Sequence, residues 1–367
     1  MIKSEHLEVY DLTLTAKAPI FIGSGKSYTK KEYLFLSSVE ANASESSVWF
    51  LNEEKFFQML IEQNLIDKYE QFVLGNDDNC FRFLHTTCRL SLPQIRAVTR
   101  YQVRAEDALD SYHSLKEINA FSRNQNGQAY IPGSSLKGAL RTVLLTEMIL
   151  KEPLHKSLSS DYREDFPEGD YLNTLALRKD RNGNIMNDAV NSIMRGILIS
   201  DSAPIPDTCL MLTAKTDSDI DGNTHQINLC RECVSPGTRI HFKLTLDNSV
   251  LKGKITAASI QKSIQTVIKS YLNTWMSFFD VPYKGADISF DNCIFLGGGT
   301  GFFSKTLVYP YLGENAGLDY AVDLMNNKFR AHKHLKDKEL GISPRTMKFG
   351  LYNGFLYPMG LCEVALS

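Results

Sequence analysis

Residues 130–141 read YIPGSSLKGALR, a glycine and serine turn that runs into a helix. An apolar stripe at helical spacing follows the turn and comprises Leu136, Ala139, Leu140, Val143, Leu144 and Met148. Ser134 or Ser135 is a good N-cap for this helix. Because a helix N-terminus presents free N–H groups and the positive end of its dipole, the stretch predicts both a core helix and a place that can hold an anion.

The same stretch does not fit the phosphate loop of a nucleotide hydrolase. That loop requires GxxxxGK[ST], in which the lysine and the hydroxyl serve the terminal phosphates and magnesium. Gly133 and Gly138 have the required spacing, but Lys137 precedes the second glycine, and an alanine and a leucine follow it. The residues therefore favour a turn that holds a phosphate over one that hydrolyses a nucleotide.

Length, composition and charge limit the kinds of protein that this chain can be. A chain of 367 residues with 43% hydrophobic and 22% charged residues can form one large or two ordinary globular domains. No run of about 18 apolar residues occurs, so no membrane span is expected, and the N-terminus lacks a signal-peptide core, which predicts a cytoplasmic location. The net charge of −2 argues against a protein that coats nucleic acid over its whole surface, but it leaves room for a local basic groove.

Alternation of apolar and polar residues marks the clearest strand, at residues 238–247. There Ile240, Phe242, Leu244 and Leu246 are predicted to point inward, and His241, Lys243 and Thr245 outward. The strongest elements follow in the order strand, long insert, helix, strand, strand, helix, strand, and the last strand lies in the stretch 293–302, which ends in a glycine-rich loop. This βαββαβ order predicts an α+β protein with a ferredoxin-like (RRM-like) fold that carries helical and loop insertions.

The domain organisation follows from the same pattern. Residues 1–306 are predicted to form the ferredoxin-like module, with a helical insertion near 52–125 where short apolar clusters alternate with polar stretches. Residues 307–367 form a C-terminal segment. The sequence leaves open whether this segment is part of a second, degenerate ferredoxin-like half.

Two further glycine-rich loops carry basic residues. One contains Gly23 and Gly25, followed by Lys30 and Lys31, and the other contains Gly297, Gly298, Gly299 and Gly301, followed by Lys305. Successive N–H groups in such loops can form an anion nest. Lys137 and Arg141 lie four apart on one face of the predicted helix, and Arg123 precedes it. Together these loops favour a groove that grips a nucleic-acid backbone, whereas the alternative for each is a tight structural turn with solvated cations.

Catalytic and metal-binding motifs are lacking in the sequence. It contains no HExxH or GxSxG pattern. Cys230 and Cys233 are the only close pair among seven cysteines, and zinc would need a second pair or matching histidines. His113 and His225 are the candidates for a general base in RNA cleavage. We predict reduced thiols, no cofactor, no metal and no catalytic residue.

Six segments resemble a known family when taken in order: APIFIGSG, KKEYLF, AYIPGSSLKGALRTVL, ISDSAPI, LCRECVSPGTRIHFKLTLD and FLGGGTGFFSKT. They are similar to the RAMP proteins of CRISPR effector complexes, and their order and lengths resemble the fifth subunit of the type III-A Csm complex. The resemblance runs from about residue 12 to 306. It implies ferredoxin-like RNA-binding modules with a glycine-rich loop, in a subunit at the 3′ end of the crRNA that supports crRNA maturation in antiviral defence without cutting RNA itself.

The resemblance also implies partners and contact residues. The partners are the crRNA 3′ region, nearby target RNA, the other Csm subunits and host nucleases. Matched to the family's motifs are Gly23, Gly25, Gly133, Ser134, Ser135, Lys137, Arg141, Gly297, Gly298, Gly299, Gly301 and Lys305, with a weaker backbone-contact role for Arg231. Two other functions stay open, a metal-independent endoribonuclease of the same superfamily and a purely architectural subunit.

Overall fold

The computed structural model describes residues 5–41, 45–108, 117–153, 168–279 and 288–367. The strands are β1 (Leu7–Ala16), β2 (Gly23–Tyr28), β3 (Tyr33–Leu36), β4 (Ser47–Leu51), β5 (Thr99–Arg104), β6 (Glu117–Phe121), β7 (Ile197–Ile199), β8 (Leu210–Asp219), β9 (Thr224–Val234), β10 (Arg239–Asp247), β11 (Cys293–Phe295), β12 (Thr346–Tyr352), β13 (Phe355–Pro358) and β14 (Leu361–Leu366).

The helices within these ranges are mostly short. They are α1 (Ser38–Ala41), α2 (Glu53–Glu62), α3 (Ile66–Leu74), α4 (Cys80–Arg82), α5 (Leu92–Ala97), α6 (Gly133–Lys151), α7 (Glu168–Leu172), α8 (Asn248–Leu251), α9 (Ala257–Thr274), α10 (Val308–Leu312), α11 (Glu314–Lys328) and α12 (Asp337–Leu340). A π-helical turn, Phe83–Thr87, continues α4. Short 3-10 turns lie at Glu106–Ala108, Ala189–Asn191, Ile193–Gly196, Asp207–Cys209, Met276–Phe279, Arg330–His332 and His334–Lys336.

The first sheet has the strand order β11-β14-β1-β10-β7, and each strand is antiparallel to its neighbours. β1 pairs with β10 from Leu7↔Asp247 to Thr15↔Arg239. The predicted alternation along β10 is observed, since its inward residues are buried and His241 and Lys243 are exposed. The long helices α6 and α9 pack against each other and share one core with this sheet.

The central strands β14-β1-β10-β7 and the helices α6 and α9 form the predicted ferredoxin-like α+β fold. One element was assigned wrongly, because the strand before the glycine loop, β11, lies at the sheet edge rather than beside β1. The C-terminal strand β14 takes that place. β14 is antiparallel to β1 and hence parallel to β10, which is the direction of the last strand in a βαββαβ sheet, whereas β11 is antiparallel to β10.

The second sheet has the order β2-β6-β9-β8-β5-β4-β3, with β12 pairing with both β8 and β13. Helices α2 to α5 lie inside the insertion predicted near 52–125 and cover β3 and β4 with a separate apolar core. Residues 307–367 contribute β14 to the first sheet and β12 and β13 to the second. The division of domains after residue 306 remains a prediction, and the two segments share both sheets.

The start of α6 is built differently from the sequence prediction. Pro132 occupies the N-cap position without a side-chain hydrogen bond. The N–H of Gly133 donates instead to the carboxylate of Asp201, with an N···Oδ1 distance of 2.8 Å. The predicted capping by Ser134 or Ser135 is wrong, because a carboxylate from the loop after β7 already occupies this end of the helix.

Gly133 also packs directly on the end of β7. It is buried, and a Cβ atom there would overlap the carbonyl oxygens of Ile199 and Ser200. Gly138, five residues further along the same helix, has open space where a Cβ would lie. The first glycine is therefore a packing residue, and the second is not.

We expect Gly133→Ala to destabilise the fold by about 1–3 kcal/mol, because the new methyl group has no space beside the β7 backbone. Gly138→Ala is the matched control and should stabilise the helix by about 0.5–1 kcal/mol. Urea denaturation of both variants measures the difference. Equal free energies of unfolding for the two variants would contradict the packing role of Gly133.

Candidate nucleic-acid interface

A cleft of about 500 Å³ opens between α6, α9 and the glycine loop 297–301. Six of the predicted contact residues line it: Gly23, Ser134, Ser135, Gly297, Gly298 and Lys305. Much of the remaining wall is apolar and includes Val143, Ile268, Trp275 and Phe303. Lys305 is exposed at the cleft, and desolvation by the surrounding walls lowers the pKa of its ammonium group. Three glycine-containing segments that are distant in sequence thus meet at one place.

The glycine loop has the alternating backbone of an anion nest. Gly297, Gly299 and Gly301 have φ angles of +90°, +78° and +86°, which residues with a side chain rarely adopt. The N–H of Gly298 donates to the carbonyl oxygen of Phe21 at 2.7 Å. The N–H groups of residues 299–301 donate to no acceptor in the part of the chain that the structure describes. These three backbone donors are therefore unpaired within the described residues, and the middle one belongs to Thr300, which is 2% exposed.

Arg231 lies directly against this loop. A Cβ atom on Gly299 would overlap the Arg231 guanidinium, so only glycine permits this approach. Arg231 is 9% exposed, its Nε is buried without a partner, and within the described ranges its side chain forms no hydrogen bond or ion pair. Its guanidinium carbon lies 5.4 Å from the centre of the Phe21 ring. Desolvation lowers the pKa of Arg231, and a buried cation of this kind is costly unless an anion neutralises it.

Two lysines that sequence reasoning missed lie near Arg231, and the first of them adds to this positive charge. Lys215 on β8 is half-buried, and its pKa is lowered by desolvation and by the charges of Arg231 and Lys348. Lys348 on β12 packs beside Gly301 and forms an ion pair with Asp217. The alternation in β8 was the available signal, since Lys215 and Asp217 interrupt an otherwise buried strand at every second position.

Lys137 and Arg141 are not brought to the cleft. The cleft-lining residues of α6 include Ser135, Ala139 and Thr142. At 100° per residue, Lys137 and Arg141 lie on the other side of the helix. Arg141 is paired with Glu168, and partial burial lowers the pKa of Lys137. The structure therefore does not bring these two predicted contact residues to the cleft with the glycine loop.

The basic residues near the first glycine turn have structural partners. Lys30 forms an ion pair with Asp78, with 3.2 Å between Nζ and Oδ2. The Lys31 ammonium donates to the carbonyl oxygens of Phe72, Val73 and Gly75 and so caps the C-terminal end of α3. Gly25, with a φ angle of +83°, is exposed and has open space around it. Of this group only Gly23 reaches the cleft.

Arg123 belongs to the protein core. Its guanidinium lies 2.7 Å from carboxylate oxygens of both Asp207 and Glu232 and 3.7 Å from the centre of the Tyr101 ring. Glu232 is fully buried and also accepts the N–H of Phe121 at 2.9 Å. The contact with RNA predicted for Arg123 does not fit this arrangement, because two carboxylates already neutralise the cation.

Glu232→Ala should destabilise the protein by about 3–5 kcal/mol, since it leaves the buried Arg123 cation with one partially exposed partner. Asp207→Ala is the matched control, because this carboxylate binds the same guanidinium but is 41% exposed, and it should cost about 0–1 kcal/mol. Guanidinium chloride unfolding measures both. Similar losses for the two variants would contradict the structural role assigned to Glu232.

Of the two candidate general bases, only His225 lies in the part of the chain that the structure describes. His225 is exposed on β9, and His113 lies outside the described residues. Among the residues with described positions, no group of three or more His, Cys, Asp and Glu side chains is arranged to hold a metal ion. In the same part of the chain, no helix is long and apolar enough to cross a membrane.

A sequence model described as the RAMP superfamily matches residues 13–304. The chain belongs to the RAMP superfamily. The match runs from β1 through the glycine loop and confirms the resemblance that the six sequence segments indicate. It also covers Gly23, α6, Arg231 and the loop itself, whereas Lys305 and Lys348 lie beyond the matched residues.

Relatives extend this similarity beyond the matched region. The "CRISPR system Cms protein Csm5" of Mycobacterium tuberculosis (strain CDC 1551 / Oshkosh) is 26% identical over 389 residues, covering 98% of each chain. The protein of the same name from Streptococcus thermophilus is 28% identical over 306 residues, covering 81% of this chain and 80% of its own. The expected resemblance to the fifth Csm subunit is therefore confirmed.

Two solved structures share the fold. One is a chain in a cryo-EM structure of a Csm–crRNA–target RNA ternary complex from a type III-A CRISPR-Cas system, with a TM-score of 0.61, 18% identity, and coverage of 98% of this chain and 100% of that one. The other is the crystal structure of T. onnurineus Csm5, with a TM-score of 0.59, 18% identity, and coverage of 96% and 99%. These similarities extend over nearly the whole length of each chain.

Proposed function

We propose that this chain is the RNA-binding, non-catalytic fifth subunit of a type III-A Csm complex and that it holds the 3′ region of the crRNA. The observation that carries the proposal is the buried Arg231 guanidinium, which lies beside three N–H groups of the glycine loop and, like them, has no hydrogen-bond partner among the described residues. The relatives named Csm5 support the place in the complex. The cytoplasmic location expected from the sequence belongs to the same proposal.

The chemistry of these donors fits a crRNA-binding protein. Backbone N–H groups and a guanidinium bind phosphate oxygens through charge-assisted hydrogen bonds. Such contacts position the RNA and do not read its bases, so they accept any spacer sequence. Lys305 and Lys215 extend the positive charge on either side of the loop contacts. The phosphate would supply the anion that the buried Arg231 lacks.

The partners follow from this assignment. We propose that the other Csm subunits hold the chain at the end of the complex, with target RNA close to the bound crRNA. Its support of crRNA maturation would consist of defining where host nucleases stop trimming. In this proposal the RNA is gripped by fixed donors, and the cutting is done by other proteins.

Arg231→Met should weaken binding of single-stranded RNA by about tenfold to a hundredfold, because it removes charge-assisted hydrogen bonds while keeping the apolar stem. The slope of log affinity against log salt should fall by about 0.7, the value for one phosphate contact on a single strand. Arg239→Met is the matched control, since Arg239 is an exposed arginine at the start of β10. Fluorescence anisotropy of a labelled RNA over a salt series measures both quantities.

The same variants in the assembled complex test the place of contact. Nuclease digestion of crRNA in complexes with Arg231→Met should shorten the protected 3′ end, whereas Arg239→Met should leave it unchanged. RNA cleavage by the purified chain, in EDTA or magnesium, would instead establish the endoribonuclease function. Unchanged RNA affinity together with failed assembly would establish a purely architectural role.

A further inference from the structure

The C-terminal segment carries a basic surface that the site around Arg231 does not include. Residues 328–336 read KFRAHKHLK and contain four lysine or arginine residues and no carboxylate. Lys328, Arg330, Lys333 and Lys336 are all exposed, and none has an ion-pair partner among the described residues. We call residues 328–336 the basic platform. In a chain with a net charge of −2 this is a local concentration of unneutralised positive charge.

An aromatic pair lies within the basic platform. The Phe329 ring is 48% exposed. It stacks on His332, with 5.7 Å between the ring centres and 15° between their planes. A phenylalanine ring left in water on a charged surface gains free energy when another flat apolar face covers it.

A buried carboxylate, that of Asp337, orders the basic platform through hydrogen bonds. Asp337 is fully buried and lies 2.8 Å from His334 Nδ1, and it accepts hydrogen bonds from Ser343 Oγ at 2.8 Å and from the Arg345 guanidinium at 3.2 Å. Arg345 also donates to the carbonyl oxygen of His332 at 2.9 Å. These hydrogen bonds order the backbone of the basic platform. A binding surface that is already ordered gains affinity, because less conformational entropy is lost when the ligand binds.

We propose that the basic platform is a second RNA-binding surface, which stacks one unpaired base on the Phe329–His332 pair and places its cations on the flanking phosphates. A nucleotide supplies a flat ring and a neighbouring anion in each repeating unit, and this matches the alternation of rings and cations in the platform. An acidic peptide would neutralise the cations without an equivalent repeating ring. The surface lies outside the Arg231 site and stands independently of it.

A cross-linking experiment on the full chain tests the stacking. With single-stranded RNA containing 5-iodouridine, irradiation should cross-link Phe329 or His332, and Phe329→Ala should weaken binding by about fivefold to a hundredfold. Phe355→Ala is the matched control, because Phe355 on β13 is 45% exposed. Equal effects of the two variants, or cross-links confined to other segments, would overturn the proposal.

A salt series tests the charges. Replacing Lys328, Arg330, Lys333 and Lys336 together by alanine should reduce the salt slope of RNA binding by about 2–3. The control replaces four exposed lysines elsewhere, Lys252, Lys254, Lys262 and Lys269, and should change the slope by less than 1. Equal slopes for the two quadruple variants would overturn the proposal. So would a platform variant that loses binding of poly-glutamate but keeps the RNA affinity of the unsubstituted chain. Thermal unfolding confirms that each variant is folded. Measuring Arg231→Met in parallel distinguishes a failure of the basic-platform proposal from a failure of the proposed Arg231 site.

Discussion

The close approach of the glycine loop to Phe21 and Arg231 is the constraint on which the candidate interface depends. A Cβ atom on Gly297 would overlap the carbonyl oxygen of Phe21, and one on Gly299 would overlap the guanidinium of Arg231. Because the loop backbone packs on both, the loop that follows β11 of the first sheet lies against the side chain of Arg231, which belongs to β9 of the second sheet. This contact brings the free N–H groups of the loop and the buried cation to one point.

Arg231 and Glu232 show how one strand serves both stability and function. Consecutive residues of a strand point to opposite faces of a sheet. On one side of β9, Glu232 neutralises Arg123 inside the core. On the other side, Arg231 is almost as deeply buried but has no carboxylate partner among the described residues. The cation of Arg123 is neutralised within the folded chain, and in our proposal the cation of Arg231 is neutralised by a phosphate of the bound RNA.

Sequence reasoning located the helices and strands well, but it did not find the hydrogen-bond and ion-pair partners of individual side chains. The strand at β10, the helix α6 and the glycine loop were predicted from patterns that span a few neighbouring residues. The failures concern groups whose partners are distant in sequence: Asp201 caps Gly133 from 68 residues away, and Arg123 binds Glu232 from 109 residues away. Lys31 was misjudged for the same reason, since the carbonyl groups that it caps lie 41 to 44 residues further along.

The sequence by itself determined the elements of the ferredoxin-like fold up to the last strand and the places where the backbone can adopt positive φ angles, because apolar periodicity and glycine freedom are properties of near neighbours in the chain. The tertiary structure alone decided that the C-terminal strand β14 completes the first sheet, and which cations are neutralised. Arg123 and Lys31 bind oxygen atoms within the fold, whereas Arg231 and the cations of the basic platform have no carboxylate partner among the described residues. Burial and ion pairing depend on residues that meet only when the chain folds, so the number of positive charges was readable from the sequence and their availability was not.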